Sequence, residues 1–157
     1  MMTRVGGAFL IGLASLLASS DIIDREKRRI ECVDGFLLLV SHIKEQIENY
    51  STPIRAILEK CDPRVLQMMG IDGQVHDIGQ MITSSETMLT EDSLKALREF
   101  SSTLGKSYRE VQLRECNKAI AVLEGQKAML KAAYPSKRKT VIALGAAVGG
   151  MAVILLV

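Results

Sequence analysis

Residues 90–130, TEDSLKALREFSSTLGKSYREVQLRECNKAIAVLEGQKAML, contain the pattern of two helices joined by a tight turn. Thr90 stands where an N-terminal cap is expected, and the positions after it that face one side of a helix recur at spacings of three and four. That face is formed by Leu94, Leu97, Ser101 and Leu104. Gly105 follows where a left-handed turn commonly ends a helix. We therefore expect one helix to stop at Gly105 and the next to begin soon after it.

The second helix of this pair has the clearer start. Ser107 and Glu110 have the spacing of a capping box, in which each side chain binds the other residue's main-chain N–H. Its apolar seam is predicted to contain Leu113, Cys116, Ile120, Leu123 and Leu130. Pro135 lacks the N–H that a helix interior needs, so we expect the helix to end there.

The residues before this pair also predict helices. Apolar side chains recur at helical spacing from Ile30 until the pattern ends at Tyr50, and they are Val33, Phe36, Val40, Ile43 and Ile47. Thr52 with Pro53 and Asp62 with Pro63 are each typical of a cap and first helical turn. A weaker helix is expected over residues 75–88. No alternation typical of strands competes with these helices.

Two uncharged segments enclose this helical region. Residues 5–20 and 140–157 contain no Lys, Arg, Asp or Glu, and Arg4 is the only such residue outside 21–139. At roughly 1.5 Å per residue the segments are about 24 and 27 Å long as helices, close to a bilayer core of roughly 30 Å. We predict transmembrane helices over residues 5–23 and 140–157. The domain between them is residues 24–139.

Basic residues border the central domain at both membrane ends. Arg25, Lys27, Arg28 and Arg29 follow the first span, and residues 137–139 precede the second. Basic clusters at membrane ends stay on the cytoplasmic side, so the central domain is predicted to be cytoplasmic. The alternative is a cleaved signal peptide ending near Ser20, which would make the chain a secreted helical binding module.

The expected fold is therefore all-α, an antiparallel helical bundle of five to six helices on a two-span transmembrane hairpin. The 19 basic and 18 acidic residues of the central tract nearly cancel, and the chain has no Trp, so nucleic acid is not expected as a partner. Its three cysteines, Cys32, Cys61 and Cys116, are an odd number at wide spacing, which is typical of a reducing compartment.

The sequence lacks the residue clusters of an enzyme. His42 and His76 are the only histidines, and neither lies in a metal-binding pattern, although Glu45 shares a helix face with His42. Residues 70–73 form a glycine turn without the Lys and hydroxyl of a phosphate-binding loop. We expect no catalytic residue, no metal and no cofactor.

Small residues in the two spans suggest close helix packing. Gly145 and Gly149 form a small-xxx-small pattern, and Ala8 with Gly12 repeats it in the first span. The two patterns fit packing of the spans against each other or assembly of a homo-oligomer.

Residues 94–113, LKALREFSSTLGKSYREVQL, resemble the signature of the stage III sporulation protein AB family. The resemblance extends to Gln46-Ile47, to residues 52–54 and to the glycine-rich closing segment. The chain departs from the family pattern at Gln46, expected to be Glu, and at Asn49, where a Tyr is expected but Tyr50 stands one place later.

The resemblance implies an assembly component of a sporulation channel complex between mother cell and forespore. The family is similar to the cytoplasmic helical domain of the type II secretion platform protein, which is thought to meet a hexameric ATPase. On that basis the turn between the paired helices is a candidate docking surface, formed by Leu104, Gly105, Lys106, Arg109, Glu110 and Arg114. The alternative is an ordinary solvated face. A membrane enzyme or signalling protein is a further alternative and requires a converging polar cluster that the sequence does not show.

Overall fold

The structure is a computed structural model that describes the backbone of residues 2–49, 54–71 and 77–156. Within these ranges it describes the side chains of residues 20–49, 54, 56–71, 77–147 and 150–151. The chain order is α1 (Met2–Asn49), α2 (Ile54–Glu59), α3 (Pro63–Met68), α4 (Ile78–Ser84), a 3₁₀ turn (Glu86–Met88), α5 (Glu91–Thr103) and α6 (Arg109–Leu156). The described residues contain no strand, so the all-helical prediction is confirmed.

Contacts divide the chain into two compact units. The terminal unit consists of Met1–Lys27 and Leu130–Val157, and the central unit is Arg28–Met129. Among the described residues, no helix is long and apolar enough to span a membrane. Side chains 5–19 of the first predicted span, and 148–149 and 152–157 of the second, lie outside that part of the chain. The two-span hairpin therefore stays a prediction.

One face of α1 forms the centre of the core in the central unit. Its fully buried side chains are Cys32, Val33, Phe36, Leu39, Val40 and Ile43. Their spacing of three and four places them on a single stripe, as the sequence predicted. Leu97 and Phe100 of α5 and Cys116, Ala119 and Leu123 of α6 are also fully buried. Removing a large side chain from such a core costs about 2–5 kcal/mol.

Within the central unit, α1 and α6 run antiparallel. Asp34 of α1 forms an ion pair with Lys127 of α6, whereas Ile47, near the end of α1, accepts a hydrogen bond from Arg109 at the start of α6. The residue number on α6 therefore falls as the number on α1 rises. This relationship agrees with the predicted antiparallel arrangement.

Helix α3 packs closely on α1 at a glycine. A Cβ atom added to Gly35 would lie 2.7 Å from Met69 Cγ and 3.2 Å from the main-chain oxygen of Val65. Real Cβ atoms essentially never lie as close as 2.7 Å to another heavy atom, so a side chain at this position would require Met69 to shift. At the start of α3, Asp62 Oδ1 accepts a hydrogen bond from Arg64 N at 2.8 Å, as the predicted cap requires.

The helix expected over residues 75–88 is shorter and broken. Residues 72–76 lie outside the described part, α4 begins at Ile78, and the chain turns at Ser85 into the 3₁₀ segment. Ser85 is fully buried, and its hydroxyl donates to the carbonyl of Met69 at 3.1 Å. This side-chain hydrogen bond satisfies a buried hydroxyl at the break between the two segments.

The prediction that Pro135 ends the last helix is wrong. Helix α6 continues through Pro135 to Leu156. A proline's fixed φ angle is compatible with a helix. Its costs are the missing hydrogen bond to the carbonyl four residues earlier, here that of Lys131, and the crowding of its ring against that carbonyl. Thr140 Oγ1, one turn after Ser136, donates to the Ser136 carbonyl at 3.1 Å. The proline thus interrupts one hydrogen bond without ending the helix.

Candidate partner-docking surface

Two consecutive residues, Leu104 and Gly105, form the turn between α5 and α6. Leu104 caps the end of α5, and Gly105 adopts a φ angle of 70°, in the left-handed region that favours glycine. The main-chain N–H groups of Lys106 and Ser107 both donate to the carbonyl of Thr103, at 3.2 and 3.1 Å. The predicted stop at Gly105 is therefore confirmed.

Gln112 closes this turn with both ends of its side-chain amide. Its Oε1 accepts a hydrogen bond from the N–H of Gly105 at 3.1 Å, and its Nε2 donates to the carbonyl of Ser107 at 2.6 Å. No hydrogen bond joins Ser107 to Glu110 in this described turn, so the predicted capping box does not form. An amide replaces it because Gln112 offers both a donor and an acceptor.

The structure separates the six predicted docking residues into two groups. Gly105, Lys106, Arg109, Glu110 and Arg114 are exposed, as predicted. Leu104 is buried, because it belongs to the core face of α5. Leu104 therefore positions the turn and is not a freely exposed contact residue.

A cleft of about 430 Å³ opens beside this turn. It is lined by Ile54, Leu58, Asp77, Ile78, Ser101, Leu104 and Lys106. Four of these residues are aliphatic, and Asp77 and Lys106 add opposite charges. A cleft whose lining mixes aliphatic and charged side chains suits a partner that presents both apolar and polar groups.

Arg109 has a structural contact that the sequence did not reveal. Its Nε donates to the carbonyl of Ile47 at 3.0 Å, and its Nη2 donates to the carbonyl of Glu48. Both carbonyls lie in the last turn of α1, where they have no partner within the helix. The interpretation of Arg109 as a docking residue alone is therefore incomplete, since it also caps α1.

The remaining exposed residues around the turn are available to a partner. Arg114 forms an ion pair with its neighbour Glu115 at 3.4 Å, and Glu110 lies in the first turn of α6. Tyr108 is 84% exposed. Tyrosine is enriched at interfaces because it offers a large apolar ring and a hydroxyl. Sequence reasoning missed Tyr108, although its position three residues after Gly105, next to Arg109, was a usable signal.

A partly buried polar cluster lies at the start of α5, at the opposite end of this helix from the turn. Gln126 of α6 is 4% exposed, its Oε1 accepts from Thr90 N at 3.4 Å, and its Nε2 donates to the carbonyl of Met88 at 3.4 Å. Thr90 Oγ1 accepts from Ser93 N at 3.4 Å, which is the predicted cap. Arg29 Nε also donates to the Met88 carbonyl, at 3.4 Å.

Hydrogen bonding and burial shift the pKa of several groups in the central unit. A hydrogen bond from Lys118 lowers the pKa of Glu99 and ties α6 to α5. Burial raises the pKa of the Cys32 thiol, and it raises the pKa of Cys116 to about 11. At neutral pH both thiols are therefore protonated and behave as small apolar side chains.

The predicted packing residues of the spans are only partly visible. The side chain of Ala8 and the surroundings of Gly12 and Gly149 lie outside the described residues. Gly145 is buried within the terminal unit. The choice between packing of the two spans and a homo-oligomer stays open. Among the described residues, no group of three His, Cys, Asp or Glu could hold a metal ion.

Comparison with models of protein families identifies the family of this chain. The family model described as stage III sporulation protein AB matches residues 79–157, which is half of the chain and includes α4 except its first residue, all of α5 and all of α6. Neither the curated proteins nor the solved structures gave a match. The matched description implies a role related to sporulation. The chain belongs to the stage III sporulation protein AB family.

Proposed function

We propose that this protein is a membrane platform of a sporulation secretion-like channel complex, which presents a cytoplasmic helical domain to a secretion-type ATPase. The family match supports a role in sporulation. The two uncharged ends and their basic borders support a two-span membrane anchor with the central domain in the cytoplasm of the mother cell. Other membrane components of the complex and the lipid bilayer are its further partners, and the chain itself supplies no catalysis.

The observation that carries this proposal is the bond between the docking turn and α1. Arg109 stands at the start of α6, next to the turn, and donates two hydrogen bonds to the last turn of α1. Helix α1 runs from Met2 to Asn49 and includes residues 5–23 of the first predicted span. The turn is thus held on the helix that begins at the predicted membrane anchor. A platform requires a partner-binding surface that is connected to its membrane anchor.

The chemistry of the turn fits a protein partner. Tyr108 is exposed and lies two residues from both Lys106 and Glu110 in the sequence, and Lys106 lines the cleft beside the turn. Binding energy at interfaces is concentrated in a few aromatic and charged residues around an apolar pocket. We therefore expect Tyr108 and Lys106 to contribute most of the affinity for the ATPase.

The docking test uses residues that do not hold the fold together. We expect Tyr108→Ala or Lys106→Glu to reduce co-purification of the full-length protein with the secretion-type ATPase at least tenfold, and to lower spore formation. Lys95→Glu is the matched control, because Lys95 is an exposed lysine of α5 away from the turn. Unchanged co-purification in both turn variants would place the docking surface elsewhere.

The membrane topology has a separate test that uses the natural cysteines. Cys32 and Cys116 are buried, whereas Cys61 is partly exposed. A membrane-impermeant thiol reagent should label Cys61 in opened cells and leave it unlabelled in intact cells, with denatured protein as the control for burial. Labelling in intact cells would overturn the cytoplasmic assignment. A mature N-terminus at Asp21 would show instead that the first segment is a signal peptide.

A further inference from the structure

The described part of the terminal unit carries an excess of positive charge. Residues 20–27 and 130–151 contain six cations and three carboxylates, a net charge of +3. The cations are Arg25, Lys27, Lys131, Lys137, Arg138 and Lys139. The positive electrostatic field of these cations, next to the uncharged segment of α6, attracts negatively charged ligands. A cation that forms an ion pair with a carboxylate of the chain is less available to such a ligand than one that does not.

Arg25 and Lys137 each form an ion pair with a carboxylate of α1. Arg25 forms an ion pair with Asp21 at 3.1 Å, one helical turn earlier. Lys137 forms an ion pair with Glu26 at 2.9 Å, and the Glu26 side chain is only 17% exposed. Both pairs occupy carboxylates of α1. Asp24, which is exposed, is the remaining acidic residue of this part.

Arg138 and Lys139 are exposed, and within the described residues neither forms an ion pair. They stand directly before the uncharged segment that starts at Thr140. Arg138 also lines a small cavity of about 10 Å³ with Ile22 and Val141, so part of this residue lies against apolar neighbours. Long basic side chains can lie along apolar surface while their charged ends remain in water.

The surface that continues from these two residues is apolar. Ile142, which is 51% exposed, follows Arg138 by four positions and Lys139 by three, so all three share one side of α6. Leu144 and Met151 are also more than half exposed. In a helix the side chains lean toward the N-terminus. The charged groups of Arg138 and Lys139 therefore lean away from the apolar segment, as they would at a bilayer surface.

We infer that Arg138 and Lys139 form a binding site for the phosphate groups of anionic phospholipids in the cytoplasmic leaflet. This inference rests on the proposed membrane location and adds a lipid class to it. Cations just outside a span attract anionic lipids, and the attraction falls within a Debye length of about 10 Å. In this site the phosphate group of the lipid binds Arg138 and Lys139. Its acyl chains lie beside Ile142, one turn further along the helix.

The test compares two lipids around the full-length protein. The protein is reconstituted into vesicles of phosphatidylcholine with one-fifth phosphatidylglycerol, and spin-labelled forms of each lipid report how strongly each associates with it. We expect phosphatidylglycerol to be preferred. Arg138→Gln and Lys139→Gln should each reduce that preference by up to about fivefold, since each removes one cation next to the leaflet.

Lys131→Gln is the matched control. Lys131 is exposed on the same helix, seven residues before Arg138 and on nearly the same side. The change removes the same charge about 10 Å further from the leaflet, so the lipid preference should stay close to that of the native protein.

Each outcome has a separate meaning. Equal association of the two lipids with native protein, when the protein is firmly inserted, would overturn the lipid site and leave the proposed membrane platform intact. An equal loss in the Lys131 and Arg138 variants would also overturn it, because the preference would then arise from overall charge. Failure of the native protein to remain with the vesicles after alkaline extraction would overturn the proposed membrane location itself.

Discussion

Arg109 donates a hydrogen bond from Nε to the main-chain carbonyl of Ile47 at 3.0 Å, and so joins the first turn of α6 to the last turn of α1. The two residues are 62 positions apart in the chain. A cation at the C-terminal end of a helix also interacts favourably with the helix dipole. This contact has a structural role that a docking experiment must keep separate from partner binding.

The first prediction concerns the stability that Arg109 provides. Arg109→Ala should lower the free energy of unfolding by about 1 kcal/mol, because carbonyls at the end of α1 lose their donors. Arg109→Glu should lower it further, since a carboxylate would face those carbonyls. Urea unfolding of the full-length protein in mild detergent measures both changes. Arg114→Ala is the control and should change stability by less than about 0.5 kcal/mol, because Arg114 is exposed and its ion pair is with its sequence neighbour Glu115.

The second prediction compares two glycines inside long helices. Gly35→Ala should reduce stability by about 1–2 kcal/mol, because the new Cβ would clash with Met69 and the Val65 carbonyl. The cost of this clash should exceed the gain in helix propensity. Gly125→Ala should increase stability by about 0.5–1 kcal/mol, because nothing lies within 4 Å of its added Cβ. Thermal unfolding of the two variants should therefore shift in opposite directions. A shared direction would contradict the close packing of α3 on α1.

A third prediction tests the buried amide of Gln126. Gln126→Leu keeps most of the side-chain volume but leaves the Thr90 N–H and hydroxyl without their shared acceptor, which should cost about 1–3 kcal/mol. Gln67→Leu, at an exposed position of α3, should have little effect. Denaturant midpoints provide the comparison. Equal midpoints for native protein and the Gln126 variant would show that the cluster contributes nothing to stability.

The fourth prediction follows from the thiol of Cys116. Its pKa rises from 9.0 to about 11 because the side chain is buried, so between these values the folded chain holds a proton that the unfolded chain has released. Stability should therefore fall as the pH rises from about 9 to about 11. Cys116→Ala should flatten this part of the pH profile, whatever it does to stability at pH 7. Cys61→Ala should change the profile less, since Cys61 is only partly buried.

The sequence predicted the helical elements well because their signals are local. The cap at Thr90, the cap at Asp62 and the stop at Gly105 each depend on residues within one turn. The apolar stripe of α1 could likewise be predicted from spacing alone. Such features form from neighbours in the chain, and no tertiary contact is needed to recognise them.

The remaining features depend on contacts between distant segments. Gly35 is an ordinary helical glycine until α3 packs against it, and Gln126 has no visible role until Thr90 lies beside it. Arg109 is predicted as an exposed docking residue because it flanks the Leu104-Gly105 turn, and nothing local indicates that the end of α1 lies beside it. In the candidate surface, the turn was therefore predictable, whereas the cleft and the double role of Arg109 were not.

Pro135 divides α6 into two segments whose backbone hydrogen bonds can open independently. Helix α6 is continuous in shape for 48 residues, but the carbonyl of Lys131 lacks the donor that every other interior turn supplies. Backbone opening on one side of this interruption does not have to break the hydrogen bonds on the other side. Amide exchange should accordingly show two levels of protection along α6, one on each side of Pro135. A helix that is continuous in its backbone would then unfold as two separate segments.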